Sequence, residues 1–71
     1  MMDLGTFAKN SREEIRLTLD TFKGAELVNI RVWYRDEGGD YRPSKKGVAF
    51  KLELLPEVIA ALGKALKGGE V

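Results

Sequence analysis

The sequence predicts an α+β fold: a four-stranded antiparallel sheet followed by one C-terminal helix, assembled as a dimer. Three observations point there. Apolar and polar residues alternate with period two over several stretches before Leu52. Turns rich in Gly, Pro, Asp and Ser join those stretches over a few residues, too short for the crossovers that parallel strands need. From Leu55 onward the apolar period lengthens to that of a helix.

Met1 to Ser11 shows no sustained period and reads as a flexible lead-in, in which Phe7 alone is placed to pack. Arg12 to Thr21 alternates: Ile15, Leu17 and Leu19 take one face, Arg16, Thr18 and Asp20 the other. Phe22-Lys23-Gly24 turns the chain, with Gly24 free to adopt positive φ. A second strand runs from Glu26 to about Arg35. It places Val28, Ile30 and Val32 on one face and Leu27, Asn29, Arg31 and Trp33 on the other. Tyr34 shares the parity of the aliphatic face. Glu37-Gly38-Gly39-Asp40 is a strong turn signal.

Asp40 to Arg42 reads as a short third strand ended by Pro43, which has no N–H to give a ladder. Ser44-Lys45-Lys46-Gly47 reads as a turn. Val48 to Leu52 is then the fourth strand, with Val48, Phe50 and Leu52 on one face. In the last segment Leu55, Val58, Ile59, Leu62 and Leu66 form one helical stripe. Pro56 sits in the first turn, where its missing N–H matters least, and Gly68 and Gly69 end the helix. Gly63 in mid-helix implies either a bend or the close approach of a partner backbone.

A chain of 71 residues without cysteine has a small core and no disulfide to reinforce it. One helix covers a four-stranded sheet only in part, so a second copy is the simplest cover for the remaining apolar surface. The helix stripe is the expected dimer interface. The organisation is a lead-in at 1–11, one domain at 12–67 and a tail at 68–71.

Twelve Lys and Arg against eleven Asp and Glu leave a net charge of only +1, so nucleic-acid binding would need local segregation of charge. Such segregation exists: Arg42, Lys45, Lys46 and Lys51 lie in an acid-free run, while Asp36, Glu37 and Asp40 cluster at the glycine turn. With neither His nor Cys, imidazole and thiolate catalysis and most zinc sites are excluded. Glu13, Glu14 and Asp20 sit in an ordinary strand pattern. No enzyme activity and no cofactor are expected. No apolar run is long enough to span a membrane and no signal-peptide core is present, so the cytoplasm is the expected compartment.

The stretch from Phe22 to Phe50 carries the functional signal, because aromatic and basic residues interleave there. Bases stack on rings and phosphates pair with Lys and Arg, which points to single-stranded nucleic acid. The competing reading is an amphipathic sheet with core aromatics and solvated cations. In that reading Phe22 staples a strand end, Arg31 pairs across strands with Asp20 or Glu26, and Lys45-Lys46 is a solubilising loop. The latter segment is not a P-loop, since its glycine spacing is wrong and no helix follows.

The ordered set Phe22-Lys23-Gly24, Leu27-Val28-Asn29-Ile30-Arg31, Trp33-Tyr34, Asp36, Gly39, Arg42-Pro43 and Lys45-Lys46-Gly47-Val48 resembles the transcriptional coactivator positive cofactor four family of single-stranded-DNA-binding proteins. With the first strand and the helix, the likeness spans about Arg12 to Leu66. It implies a curved four-stranded antiparallel sheet and a homodimer whose helices meet, with two strand-binding channels running in opposite directions. By the same resemblance Phe22 and Tyr34 stand where the family stacks bases. Lys23, Arg31, Arg42 and Lys46 stand where it contacts phosphates, with Lys45 adjacent. The order Trp33-Tyr34 leaves open which of the two rings stacks. Asp20 and Ala25 replace two basic positions of the family, which implies weaker phosphate binding. The short lead-in looks like the bacterial, archaeal or phage branch, in which the protein would be nucleoid-associated.

The expected function is therefore binding of unpaired or melted DNA without strong sequence preference, in transcription or DNA maintenance. Two alternatives stand beside it: a protein-interaction adaptor of the transcription machinery, and a binder of single-stranded RNA.

Overall fold

The computed structural model describes residues 1–68. Four strands, β1 (Met2–Ala8), β2 (Glu13–Phe22), β3 (Ala25–Arg35) and β4 (Tyr41–Lys51), form one antiparallel sheet in the order β1-β2-β3-β4. A 3-10 turn (Leu52–Leu54) leads into α1 (Leu55–Gly68). The expected class is thus present: an antiparallel four-stranded sheet and one C-terminal helix.

The strands are not all the expected ones. Met2–Ala8, expected as a flexible lead-in, is strand β1, paired with β2 through Phe7 opposite Ile15 and Met2 opposite Leu19. Its period is hidden because the register slips between Asp3 and Gly5, and this bulge breaks the alternation a sequence pattern relies on. Conversely, the two short strands expected around Pro43 and Val48 are one strand, β4. The segment Ser44-Lys45-Lys46, expected as part of a turn, is a bulge facing Val32 alone, since Arg31 pairs with Gly47 and Trp33 with Pro43. Ser44 closes that bulge. Its hydroxyl donates to the Val32 carbonyl at 2.7 Å and accepts the Lys46 N–H at 3.1 Å.

The turns follow from local chemistry. Phe22 pairs with Ala25, so Lys23-Gly24 is a two-residue hairpin loop, and both residues have positive φ, at 51° and 80°. Asp36 organises the β3–β4 turn by accepting the Asp40 N–H at 3.0 Å and the Arg42 guanidinium. Asn10 organises the β1–β2 turn, its side-chain oxygen accepting the N–H groups of Arg12 and Glu13 at 2.9 and 2.8 Å.

Register sorts the side chains onto two faces. Leu19, Val28 and Phe50 form one cross-strand row, and Leu17, Ile30 and Val48 the next, followed by the pair Ile15 and Val32. These rows make an aliphatic face. The opposite face carries Glu14, Arg16, Thr18 and Asp20 from β2 with Asn29, Arg31 and Trp33 from β3. Yet among the described residues only Val28 is buried, at 2% exposure. The chain measures 40 × 39 × 17 Å, thin for its width, because α1 has the 3-10 turn rather than the sheet as its principal neighbour. Glu57 in its first turn and Lys67 in its last complement the helix dipole. Its apolar stripe is largely uncovered: Leu55 and Val58 are half-buried, while Ile59, Leu62 and Leu66 are exposed, Leu62 at 61%. Gly68 closes α1, and Gly69, the other expected helix end, lies outside the described residues, as does the rest of the expected tail. No helix among the described residues is long and apolar enough to cross a membrane.

Candidate nucleic-acid interface

The β2–β3 hairpin sets the positions of the candidate residues. Phe22 ends β2 on the polar face, 58% exposed, with the Lys23 ammonium 5.3 Å from its ring centre. Arg31 lies mid-strand on the same face and Trp33 one pair further on. Eight residues of β2 separate the Phe22 position from the Glu14 position opposite Trp33, a span of ~27 Å at the usual strand rise.

Tyr34 and Arg42 pair with one another on the other face, beyond the end of the aliphatic rows. Tyr34 is 42% exposed. The eight expected contact residues therefore do not form one flat patch. Phe22, Arg31 and Trp33 share the polar face, and Tyr34 and Arg42 the opposite one. Lys23 sits in the hairpin turn, and Lys45 and Lys46 lie in the bulge of the edge strand β4. Arg31 and Tyr34 thus stand on opposite faces of the sheet.

The adjacent rings differ in availability. The Arg16 guanidinium lies over the Trp33 ring, 4.0 Å from its centre, and 5.6 Å from that of Tyr41. One face of Trp33 is thus already occupied by a cation–π contact. Tyr34 makes no such contact among the described residues.

The cations differ too. Arg31 forms no ion pair among the described residues. The expected alternative of a bridge to Asp20 or Glu26 is replaced by donation from Nη1 to the Ser44 carbonyl at 3.0 Å, which braces the β4 bulge. Arg42 is bound to Asp36. The Arg42 guanidinium, ahead of the Asp40 N–H, holds the Asp36 carboxyl below its ordinary value of 3.8, and Asp36 in turn raises Arg42. At the same end of the sheet the Asn10 amide, ahead of the Lys9 ammonium, holds Glu13 below its ordinary 4.5. No cluster of three or more potential metal ligands occurs among the described residues.

Gly47 allows the strands to meet beside Arg31. A Cβ there would lie 2.5 Å from the Ile30 carbonyl oxygen and 2.9 Å from the Arg31 Cα. Arg16 is the residue missed at the level of sequence. It pairs directly with Arg31 on the polar face. The signal was available, because a two-residue Lys23-Gly24 loop fixes the whole β2–β3 register.

A family model described as Transcriptional Coactivator p15 (PC4) matches residues 9–61. Among solved structures, the chain is similar to a PC4 homolog from Burkholderia pseudomallei K96243, with a TM-score of 0.81 and 28% identity over 89% of this chain and 85% of that one. It is similar to the bacteriophage T5 homolog of the eukaryotic coactivator PC4, implicated in recombination-dependent DNA replication. There the TM-score is 0.75 and the identity 28%, over 100% of this chain and 84% of that one. MoSub1, solved as a DNA complex, shares the fold at 22% identity and a TM-score of 0.55, over 96% of this chain and 91% of that one. No curated protein matches the chain.

Proposed function

The chain belongs to the transcriptional coactivator p15 (PC4) family, and from that membership we propose that it is a homodimer that binds single-stranded DNA without strong sequence preference. The observation that carries this reading is Phe22, an exposed ring at the end of a sheet face whose centre holds Arg31 and whose edge holds Lys45 and Lys46. Rings in such a position stack on bases that are not already stacked in a duplex, and stacking tolerates any base. The cations take the backbone. Two supports come from relatives: MoSub1 was solved with DNA, and the phage T5 protein is implicated in DNA replication.

In the same proposal a second copy covers what the protomer leaves open. Ile59, Leu62 and Leu66 on α1 are exposed beside a sheet with one buried residue, and a chain of this size gains its core by pairing. The role in transcription follows from the family, with a polymerase-associated protein as the further partner and the cytoplasm or nucleoid as the place of action.

The test is a fluorescence anisotropy titration with single-stranded DNA, duplex DNA and RNA of equal length at matched salt. The proposal expects the DNA single strand to bind well ahead of the duplex. Equal affinity for strand and duplex would mark a generic electrostatic binder. Preference for RNA would move the substrate class, and no binding to any of the three would favour the protein adaptor.

A further inference from the structure

One cation on the polar face, Arg16, lies outside the expected contact set. Arg16 and Arg31 are directly opposed across β2 and β3, which puts two like charges on neighbouring side chains in the middle of a sheet face. Such a pair is unfavourable unless something negative lies close, and the protein supplies little. Glu14 takes the Arg16 Nε, and Arg31 has only the neutral Ser44 carbonyl. These contacts engage the Nε of Arg16 and one Nη of Arg31, leaving both Arg16 Nη groups without a hydrogen bond among the described residues. The Arg16 guanidinium also lies over the Trp33 ring, 4.0 Å from its centre, a contact that restrains it before any ligand arrives.

The surroundings leave room. The residues flanking the pair in the same row are Thr6 on β1 and Gly47 on β4, both small. The row beside it is Asp3, Thr18, Asn29 and Ala49, also short. Arg16, Arg31, Asn29 and Trp33 line a shallow depression together with Met1, Thr18, Pro43 and Asp20, whose carboxylate accepts from the Thr18 hydroxyl at 3.0 Å. The side-chain oxygen of Asn29 is buried there without a partner.

We propose that Arg16 and Arg31 together hold one backbone phosphate of bound single-stranded DNA, with Asn29 left to meet the sugar or base edge next to it. This rests on the strand-binding reading above and adds to it a contact residue, Arg16, and a position for the strand across the centre of the polar face. Two guanidinium groups preset on one side of a sheet match a phosphate better than the single charge of a flexible lysine.

The experiment uses the full chain and a labelled oligothymidylate over a salt series. Arg16→Gln weakens binding by about tenfold, the effect of losing a charge-assisted hydrogen bond, and lowers the salt slope by about 0.7. Lys67→Gln, an equal charge change at the end of α1, leaves both near wild type. In the double variant Arg16→Gln/Arg31→Gln the losses fall short of the product of the single losses, because one phosphate is shared. Wild-type affinity and slope in a folded Arg16→Gln, with wild type still binding, overturn the phosphate seat and leave strand binding standing. Full multiplicativity in the double variant overturns the sharing. Failure of wild type to bind overturns the underlying reading itself. Should Arg16→Gln not fold, Glu14→Gln decides: it frees Arg16 from its carboxylate and tightens binding, and unchanged or weaker binding overturns the proposal.

Discussion

Replacing Gly47 by Ala tests the β3–β4 contact that positions Arg31. Gly47 is not among the residues with positive φ, so the substitution meets no backbone prohibition. The obstacle is space. The new Cβ lies 2.5 Å from the Ile30 carbonyl oxygen, 2.9 Å from the Arg31 Cα and 3.2 Å from the Arg31 Cβ. All three belong to the paired strand, and the two tightest are backbone atoms that cannot rotate away. Even a close C–H···O contact needs ~3.3 Å, so β4 must retreat by about 0.8 Å. Overpacking of this kind costs about 1–3 kcal/mol, and a weakened ladder rung adds about 1 kcal/mol. The reduced freedom of Ala in the unfolded chain returns about 0.5–1 kcal/mol. The net loss is about 1–3.5 kcal/mol, which for a domain of this size lowers Tm by about 5–25 °C. Calorimetry or circular dichroism at one fixed chain concentration measures it, since the proposed pairing would make Tm concentration-dependent. An unchanged or raised Tm for Gly47→Ala would refute the close-approach reasoning, and with it the claim that β4 holds Arg31 in place.

Three further outcomes are expected. Leu62→Asp places a charge in the apolar stripe of α1 and gives monomer or unfolded chain in sedimentation, whereas a wild-type-like dimer would remove the helix from the interface. Gly63→Ala probes the same face: a Cβ there meets nothing within 4 Å in the protomer, so helix propensity alone would stabilise by about 1 kcal/mol, and a loss of stability instead reveals a partner backbone packed close to Gly63. Acid titration tests the turn carboxylates. Asp36 and Glu13 have folded values below their ordinary 3.8 and 4.5, so their contribution is complete above those values and is lost as pH falls below them. The Tm gap between wild type and Asp36→Asn should therefore shrink as pH falls from about 5 to about 2, and a gap that stays constant would show that the charge of Asp36 adds nothing to stability.

The parts of the fold legible in the sequence are those where one face alternates without interruption. Ile15, Leu17 and Leu19 against Val28, Ile30 and Val32 gave β2, β3 and the aliphatic face, and Leu55 to Leu66 gave the helix. What failed was alternation broken by bulges. The slip at Asp3–Gly5 hid β1. The proline and lysines of Arg42–Gly47 read as a strand end and a turn because a bulge uses the same residues, and only the pairing of Trp33 with Pro43 and Arg31 with Gly47 shows one continuous strand. The candidate site was legible as a list of residues and not as a surface. Interleaved rings and cations are visible in one dimension. That Tyr34 and Arg42 lie on the face opposite Arg31 depends on register, and that Trp33 is covered by Arg16 depends on a contact from another strand. Leu62 is exposed in the chain, and its cover by a proposed second copy is not a feature that sequence periodicity displays.

The central claim is that rings take bases and cations take phosphates on one bound strand. It is tested most directly by the salt dependence of affinity for one single-stranded DNA in wild type, Phe22→Ala, Tyr34→Ala and Arg31→Ala. Each ring substitution should weaken binding by about 1–3 kcal/mol with the slope nearly unchanged. Arg31→Ala should weaken binding and flatten the slope by about 0.7. If Arg31→Ala lowers Tm while affinity and slope stay at wild-type values, and the ring variants bind as wild type does, then Phe22, Tyr34 and Arg31 serve the fold alone and the claim is contradicted.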